Sequence, residues 1–314
     1  MRNVILVLSL FCFAISLNSC TKDIDLPIPE TTPRLVMNGL IQPDSVLVLN
    51  LSSSISAKSG NLPAYVNDGS VKVYENGNLL STLHYVPAIN SNPWSTPIEG
   101  NYVDSNLSFL PGHTYTVKAV KSGFADVVAE VSVPIIPKVD TLSVDDVLLS
   151  VGGGFGGGSQ TTDGKSIKFK IVDLDQNNKN YYLIRVSQFD SSFMGYLDAS
   201  IGTNNLNLQD LNGLQGATES SNKLYLNDAI FNNGTYEGEI HFAIYTGGWG
   251  SFVAGIYYLE VLSVTKDYYQ YLQSVDSYWD TNGNPFAEPS QITTNVTNGY
   301  GMIGAQVVKR FRLP

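Results

Sequence analysis

Apolar and polar residues alternate one for one in run after run of this chain, and that period belongs to a half-buried β-strand. In VLVLNLS, Leu47, Leu49 and Leu51 fall on one side. In TYTVKAV, Tyr115, Val117 and Ala119 share a face, with Thr116 and Lys118 opposed. In SIKFKIV, Ile167, Phe169 and Ile171 do the same. Turn chemistry bounds these runs. Asn76-Gly77 separates VKVYE from LLSTLHYV, and an Asn-Gly pair suits a two-residue hairpin because both positions need positive φ. Pro111-Gly112 marks a second turn, and Pro134 and Pro137 stop the strand that spans Val127 to Val133, since proline has no amide to give a ladder.

The predicted fold class is therefore mainly β. With 314 residues, two domains are the natural division. Residues 34–138 read as an immunoglobulin- or fibronectin-like β-sandwich of short strands. Residues 139–314 read as a larger β-rich sandwich or barrel-like domain with one C-terminal helix. Its clearest strands are Ser166 to Val172, Tyr181 to Ser187, Glu239 to Tyr245 and Gly255 to Val264. The helix is capped by Thr265, carries Asp267 in its first turn, and places Tyr268, Leu272, Val275 and Trp279 on one face toward the sheet. Asn282-Gly283 and Pro285 end it. Between Phe189 and Lys223 lies a polar, Asn-rich stretch longer than a plain connection, either functional or mobile.

The front of the chain decides its address. Arg2 precedes an apolar run from Val4 to Leu17, the layout of a secretory signal and too short for a transmembrane helix of about 20 apolar residues. Leu17-Asn18-Ser19-Cys20 resembles a bacterial lipobox, although Asn18 departs from it. Residues 1–19 are expected to be removed, Cys12 with them, leaving Cys20 as the one thiol and the site of lipidation; a secreted protein with a free N-terminal cysteine is the other reading. Residues 20–33 carry Pro27, Pro29 and Pro33 and read as an extended tether. Net charge is −10, one unit more negative without Arg2, which disfavours nucleic acid as a partner. Charged residues make up 15% of the chain against 43% hydrophobic, enough apolar surface to bury a sizeable core and unlike a disordered composition.

Several motifs come near to chemistry. The run from Ser159 through Gly164-Lys165-Ser166 approximates a phosphate-binding loop, but serine replaces the first glycine, and an alternating strand follows where a helix is needed, so no nucleotide is expected. Asp173, Asp175 and Asn177 match the opening of a calcium loop; Asn178 then stands in the glycine position and Ile184 in that of the closing glutamate. A turn between two strands fits better. Glu237 and Glu239 share a strand face, as a solvated edge would, and only distantly suggest the carboxylate pair of a glycosidase. His84, His113 and His241 are scattered, with no His-x-x-x-His and no G-x-S-x-G. No catalytic residue, metal ligand or cofactor is assigned. Trp249, in Gly247-Gly248-Trp249-Gly250, and Trp94 are candidate ligand-contact residues, since a flat ring in a loop can stack on a sugar or a partner; a ring folded back onto its own sheet is the other reading, and the favoured one.

Cys20 with IDLPIPE, RLVMNGLI, PGHTYTVKAV, NYYLIRV, LYLNDAIFNNG, DYYQYLQSV and the terminal NPFAEPSQITTNVTNGYGMIGA together resemble a domain-of-unknown-function family (4249) of Bacteroidota surface lipoproteins, often encoded next to SusC-like TonB-dependent transporters. Lys22, Asp23 and Asp25 are similar to the charged tag that sends such lipoproteins to the exterior. The resemblance implies a non-enzymatic outer-membrane lipoprotein, held in lipid by acylated Cys20 and facing the cell exterior. It would act as an accessory or ligand-capturing subunit of a SusC-like transporter. The alternatives are an extracellular glycan- or peptide-acting enzyme, recognisable if two carboxylates or a Ser/His pair converge in a pocket, and an envelope scaffold or adhesin.

Overall fold

The alternating runs become strands because each has one apolar edge to bury. The computed structural model describes residues 31–56, 63–87, 100–151, 160–190, 195–214, 220–244, 256–281, 287–288 and 290–314. Pro33–Ser54 and Pro63–Pro314 gather into one compact unit; the other, Met1–Thr32 with Ile55–Leu62, lies almost wholly outside the described residues.

The leading half supplies β1 (Leu35–Ile41), β2 (Val48–Ser53), β3 (Ser70–Glu75), β4 (Asn78–Val86), β5 (Asn101–Val103), β6 (Thr114–Val120) and β7 (Val127–Ser132). β4 pairs with β3 through its first residues and with β5 through His84, Tyr85 and Val86, so one strand joins two layers. Between them lie Leu47, Leu49, Leu51, Tyr115, Val117 and Ala119, the residues expected to share a face, all essentially buried. The β3–β4 turn has Asn76 at φ 50° and Gly77 at φ 80°, the left-handed pair an Asn-Gly hairpin requires. After the Pro111-Gly112 turn, the Tyr115 hydroxyl accepts the Leu110 amide at 2.9 Å while its ring meets Phe109 edge-on. That is the arrangement of a tyrosine corner in immunoglobulin-like sandwiches.

The rest of the chain supplies β8 (Lys138–Val151), β9 (Gln160–Val172), β10 (Tyr181–Asp190), β11 (Gly195–Asp198), β12 (Ile201–Gly202), α1 (Leu206–Asn212), β13 (Leu224–Asn227), β14 (Thr235–Ala243), β15 (Ile256–Val264), α2 (Lys266–Thr281) and β16 (Ile303–Arg312). A four-stranded sheet runs β12-β14-β9-β8, and a long sheet runs β11-β10-β15-β16-β1-β2-β5-β4-β3-β6-β7, with β13 also on β10. Ile167, Phe169, Ile171 and Phe242 from the first sheet meet Ile184, Val186, Leu259 and Val261 from the second in one core. This is the sandwich form of the expectation; among the described residues no barrel closes.

Three expectations are corrected. The strand expected from Glu239 begins at Thr235 and ends at Ala243, because Thr235 sits in a tight Asn233-Gly234 turn, both at positive φ, that starts the ladder with β9. The polar stretch from Phe189 to Lys223 holds β11, β12 and α1, so the C-terminal helix is joined by a second, short one. Asn205 caps α1 by accepting the Leu208 amide, and Gly213 closes it in the left-handed conformation. Trp279, expected on the buried face of α2, is 66% exposed. Tyr268, Tyr269 and Leu272 pack on the sheet with Leu183, Leu262 and Val264, and burial then fades along the helix until residues 277–280 face solvent. Thr265 does cap this helix, accepting the Tyr268 amide at 3.3 Å.

β16 runs parallel to β1, pairing Gly39 with Ile303 and Ile41 with Ala305. Asn295 brackets Ile303, its amide group bonding both the N–H and the C=O, and Asn38 accepts the Met302 amide. Gly301, at φ 104°, has no room for a Cβ beside the Met37 carbonyl. Ile303, Ala305, Val307 and Val296 thereby enter the core of the leading half. Among the described residues no helix is long and apolar enough to cross a membrane.

Candidate functional site

Alternation along β10 sends Leu183, Arg185 and Ser187 to the face opposite Ile184 and Val186, the same face that α2 covers further along. Glu260 of β15 stands between Arg185 of β10 and Arg310 of β16, in register with both. Its carboxylate is 1% exposed. Arg185 donates from Nε at 3.1 Å and Nη2 at 2.6 Å to one oxygen. Arg310 reaches the other from Nε at 2.7 Å and Nη2 at 2.6 Å, and the Ser187 hydroxyl adds a bond at 3.2 Å. A buried carboxylate is tolerated only when paired and fully bonded, and this one is.

The Arg310 guanidinium lies 4.4 Å from the Tyr196 ring and 5.7 Å from that of Tyr258. Tyr196 in turn meets Phe189 and Tyr258 edge-on. Phe189, Tyr196, Leu197 and Ile256 are all exposed. A guanidinium fixed from below and flanked by aromatic rings, on a continuous sheet, forms a rigid surface of the residue types enriched at protein interfaces.

A second feature lies beside α2. Its Asp276 accepts the Tyr225 hydroxyl at 2.5 Å and the Lys223 ammonium at 2.9 Å. Asn212 of α1 holds Tyr225 in place, accepting its amide at 2.6 Å and donating to its carbonyl at 2.9 Å. Burial, reinforced by the Asp276 carboxylate, pushes the Tyr225 hydroxyl well above the usual phenol range. Between these elements runs a groove of about 570 Å³, lined also by Gln273, Asp280 and the exposed Trp279.

On the outer face of the four-stranded sheet, a depression of about 410 Å³ is lined by Ser166, Glu239 and His241. His241 stands opposite Ser166 in the ladder, and the Ser166 hydroxyl donates to Glu239 at 2.5 Å. A Ser/His pair thus shares a pocket here, with the hydroxyl proton directed at a carboxylate. β9 is bonded to a strand on each side, which leaves its amides in the ladder and not aimed at an oxyanion. Glu237 faces solvent with Lys170 at 3.0 Å.

Gly164, Lys165 and Ser166 lie in strand β9, and Lys165 pairs with Asp146; a phosphate-binding loop would place a helix there. Asp173 is buried and accepts the Asp175 amide and the Asn180 side chain, each at 2.9 Å, the turn network the residues suggested. His113 bonds Glu75 at 2.7 Å, while His84 sits on β4. Among the described residues no group of three or more His, Cys, Asp or Glu could hold a metal ion. Cys20, Trp94 and Trp249 lie outside the described residues. Missed from the sequence was the Arg185–Glu260–Arg310 row. Its signal was a single charge inside each of two apolar runs, YYLIRV and IYYLEVLSV, and a Lys-Arg pair in a third, VVKRF, because charges are seldom buried singly.

A family model described as Domain of unknown function (DUF4249) matches residues 21–312. No curated protein matches the sequence.

Proposed function

We propose that this chain, which belongs to the DUF4249 family, is a non-enzymatic lipoprotein of the outer membrane, anchored through acylated Cys20 and facing the cell exterior. It serves a SusC-like TonB-dependent transporter as an accessory or ligand-capturing subunit. The observation that carries the reading is the surface of Phe189, Tyr196 and Tyr258 around Arg310. Phe189, Tyr196 and Arg310 are exposed while Tyr258 is half-buried beside them, and the guanidinium is held by a buried carboxylate, so little side-chain freedom is lost when a partner covers them. The signal layout, the cysteine and the proline-rich tether support the address.

Co-purification in mild detergent from the native outer membrane tests this. A TonB-dependent transporter should accompany the wild-type chain and be lost with a Tyr196→Ala/Arg310→Ala double variant. Recovery of the chain alone, under conditions that keep other membrane complexes intact, refutes the reading. Incorporation of labelled palmitate, abolished by Cys20→Ala, tests the anchor separately.

The Ser166–Glu239 bond beside His241 favours a second reading, an extracellular hydrolase. A fluorophosphonate probe that labels wild type but not Ser166→Ala would establish it and displace the first.

A further inference from the structure

We propose that the groove between α1, β13 and α2 binds a neutral saccharide, with Trp279 as its stacking platform, an inference that rests on reading the chain as a ligand-capturing subunit. Trp279 is the most exposed aromatic side chain among the described residues, at 66%. Tyr278 meets its ring edge-on at 5.5 Å and 75°. The indole thus has one aromatic neighbour and still leaves most of its surface to solvent, and a pyranose ring can lay its C–H side on such an aromatic plane.

The groove lining supplies what the hydroxyls of that ring would need. Among the described residues, the side-chain amides of Gln273 and Asn222 and the carboxylate of Asp280 have no partner, and all three line the groove. An amide both donates and accepts, so it fits a hydroxyl, which does the same. The bonded groups nearby act as a frame. Asp276 is held by Tyr225 and Lys223, and Asn212 holds Tyr225. The donors and acceptors thus sit on α2 and on the bend that leads into β13, two segments already fixed to each other through Asp276. At about 570 Å³ the groove has the size of a small-ligand site.

Charge selects among ligands. The Lys223 ammonium is matched by Asp276, which leaves Asp280 unopposed. A phosphate or uronate would meet that carboxylate. A cation would have one ring where aromatic cages supply several, and Lys223 stands close by. A peptide would want an apolar anchor pocket, whereas this lining is mostly amide, hydroxyl and carboxylate.

The test uses the full mature chain in detergent and isothermal titration with maltohexaose, cellohexaose and mannohexaose, alongside hexagalacturonate and spermine. At least one neutral hexasaccharide should bind. Trp279→Ala should weaken it by about tenfold or more, Gln273→Ala by several-fold, and Trp279→Phe should retain most of the affinity. Trp279 is exposed, so both variants should match the wild type in circular dichroism. The inference is overturned if none of the three neutral sugars binds, if binding is unchanged in Trp279→Ala, or if hexagalacturonate or spermine binds in preference. Should the transporter still co-purify while no sugar binds, this inference alone has failed. Loss of the transporter with sugar binding intact would instead refute the accessory role.

Discussion

The leading sandwich and the sheet of β10, β15 and β16 meet the same requirement, covering an apolar face, in different ways. In the former, a single layer of aliphatic and aromatic residues alternates inward and the charges stay outside; Lys118 and Asp126 pair at the surface. In the latter, both faces are covered. One packs on the four-stranded sheet, and the other carries α2 and then the Arg185–Glu260–Arg310 row. An aliphatic layer holds position through many weak contacts and presents nothing to a ligand. A buried ion row holds through a few directional bonds and keeps its guanidinium groups at the surface. Candidate binding features accordingly gather on the second region.

Glu260→Ala should bring the largest loss, about 3–5 kcal/mol in chemical denaturation, because it strands two cations beside an apolar face. The triple replacement Arg185→Met/Glu260→Leu/Arg310→Met sharpens the point. Its stability should be near that of wild type or above it, while the transporter interaction is lost. If the triple variant is as unstable as Glu260→Ala, the row is structural and the contrast between the regions disappears. Ile303→Ala comes next, at about 2–5 kcal/mol. The residue belongs to the last strand yet lies in the first core, so the loss should appear in amide exchange of β1 and β2.

Tyr225→Phe should cost about 1.5–3 kcal/mol, the worth of a bond to a charged acceptor. The pH dependence gives its sign. The phenol is raised in the folded state, by burial first and the Asp276 bond second. Its contribution is therefore complete below about pH 10, the ordinary phenol value, and is lost as pH climbs beyond. Wild type should lose stability above that pH more steeply than the variant, and equal slopes would count against the Tyr225–Asp276 bond. Glu237→Gln should give the smallest effect, under about 1 kcal/mol, since its pairing with Lys170 is at the surface.

Local structure was legible in the residues; partnership was not. Leu47, Leu49 and Leu51, the Asn76-Gly77 hairpin and the Thr265 cap all follow from interactions within a few positions, and the structure has them as read. Which strands lie side by side is decided elsewhere. Nothing within VVKRFR indicates that β16 will sit between β15 and β1, because that choice depends on Asn38, Asn295 and Gly301 acting across most of the chain. Trp279 misled for a related reason. Helical spacing assigns it to the apolar stripe, but only contact with the sheet determines where the stripe stops being needed. Glu260 could have been flagged as a charge in an apolar run, while its two partners on different strands could not have been named.

The pairing of β1 with β16 also bears on the order of events during synthesis. A leading domain ordinarily folds while the remainder is still being made. Here Val296, Ile303, Ala305 and Val307 form part of the wall around that first core. They are among the last of the described residues to be delivered, whether from the ribosome or across a membrane. Until then the growing chain exposes an unfinished apolar seam, which makes it a natural client for holdase chaperones and a poor candidate for surviving truncation.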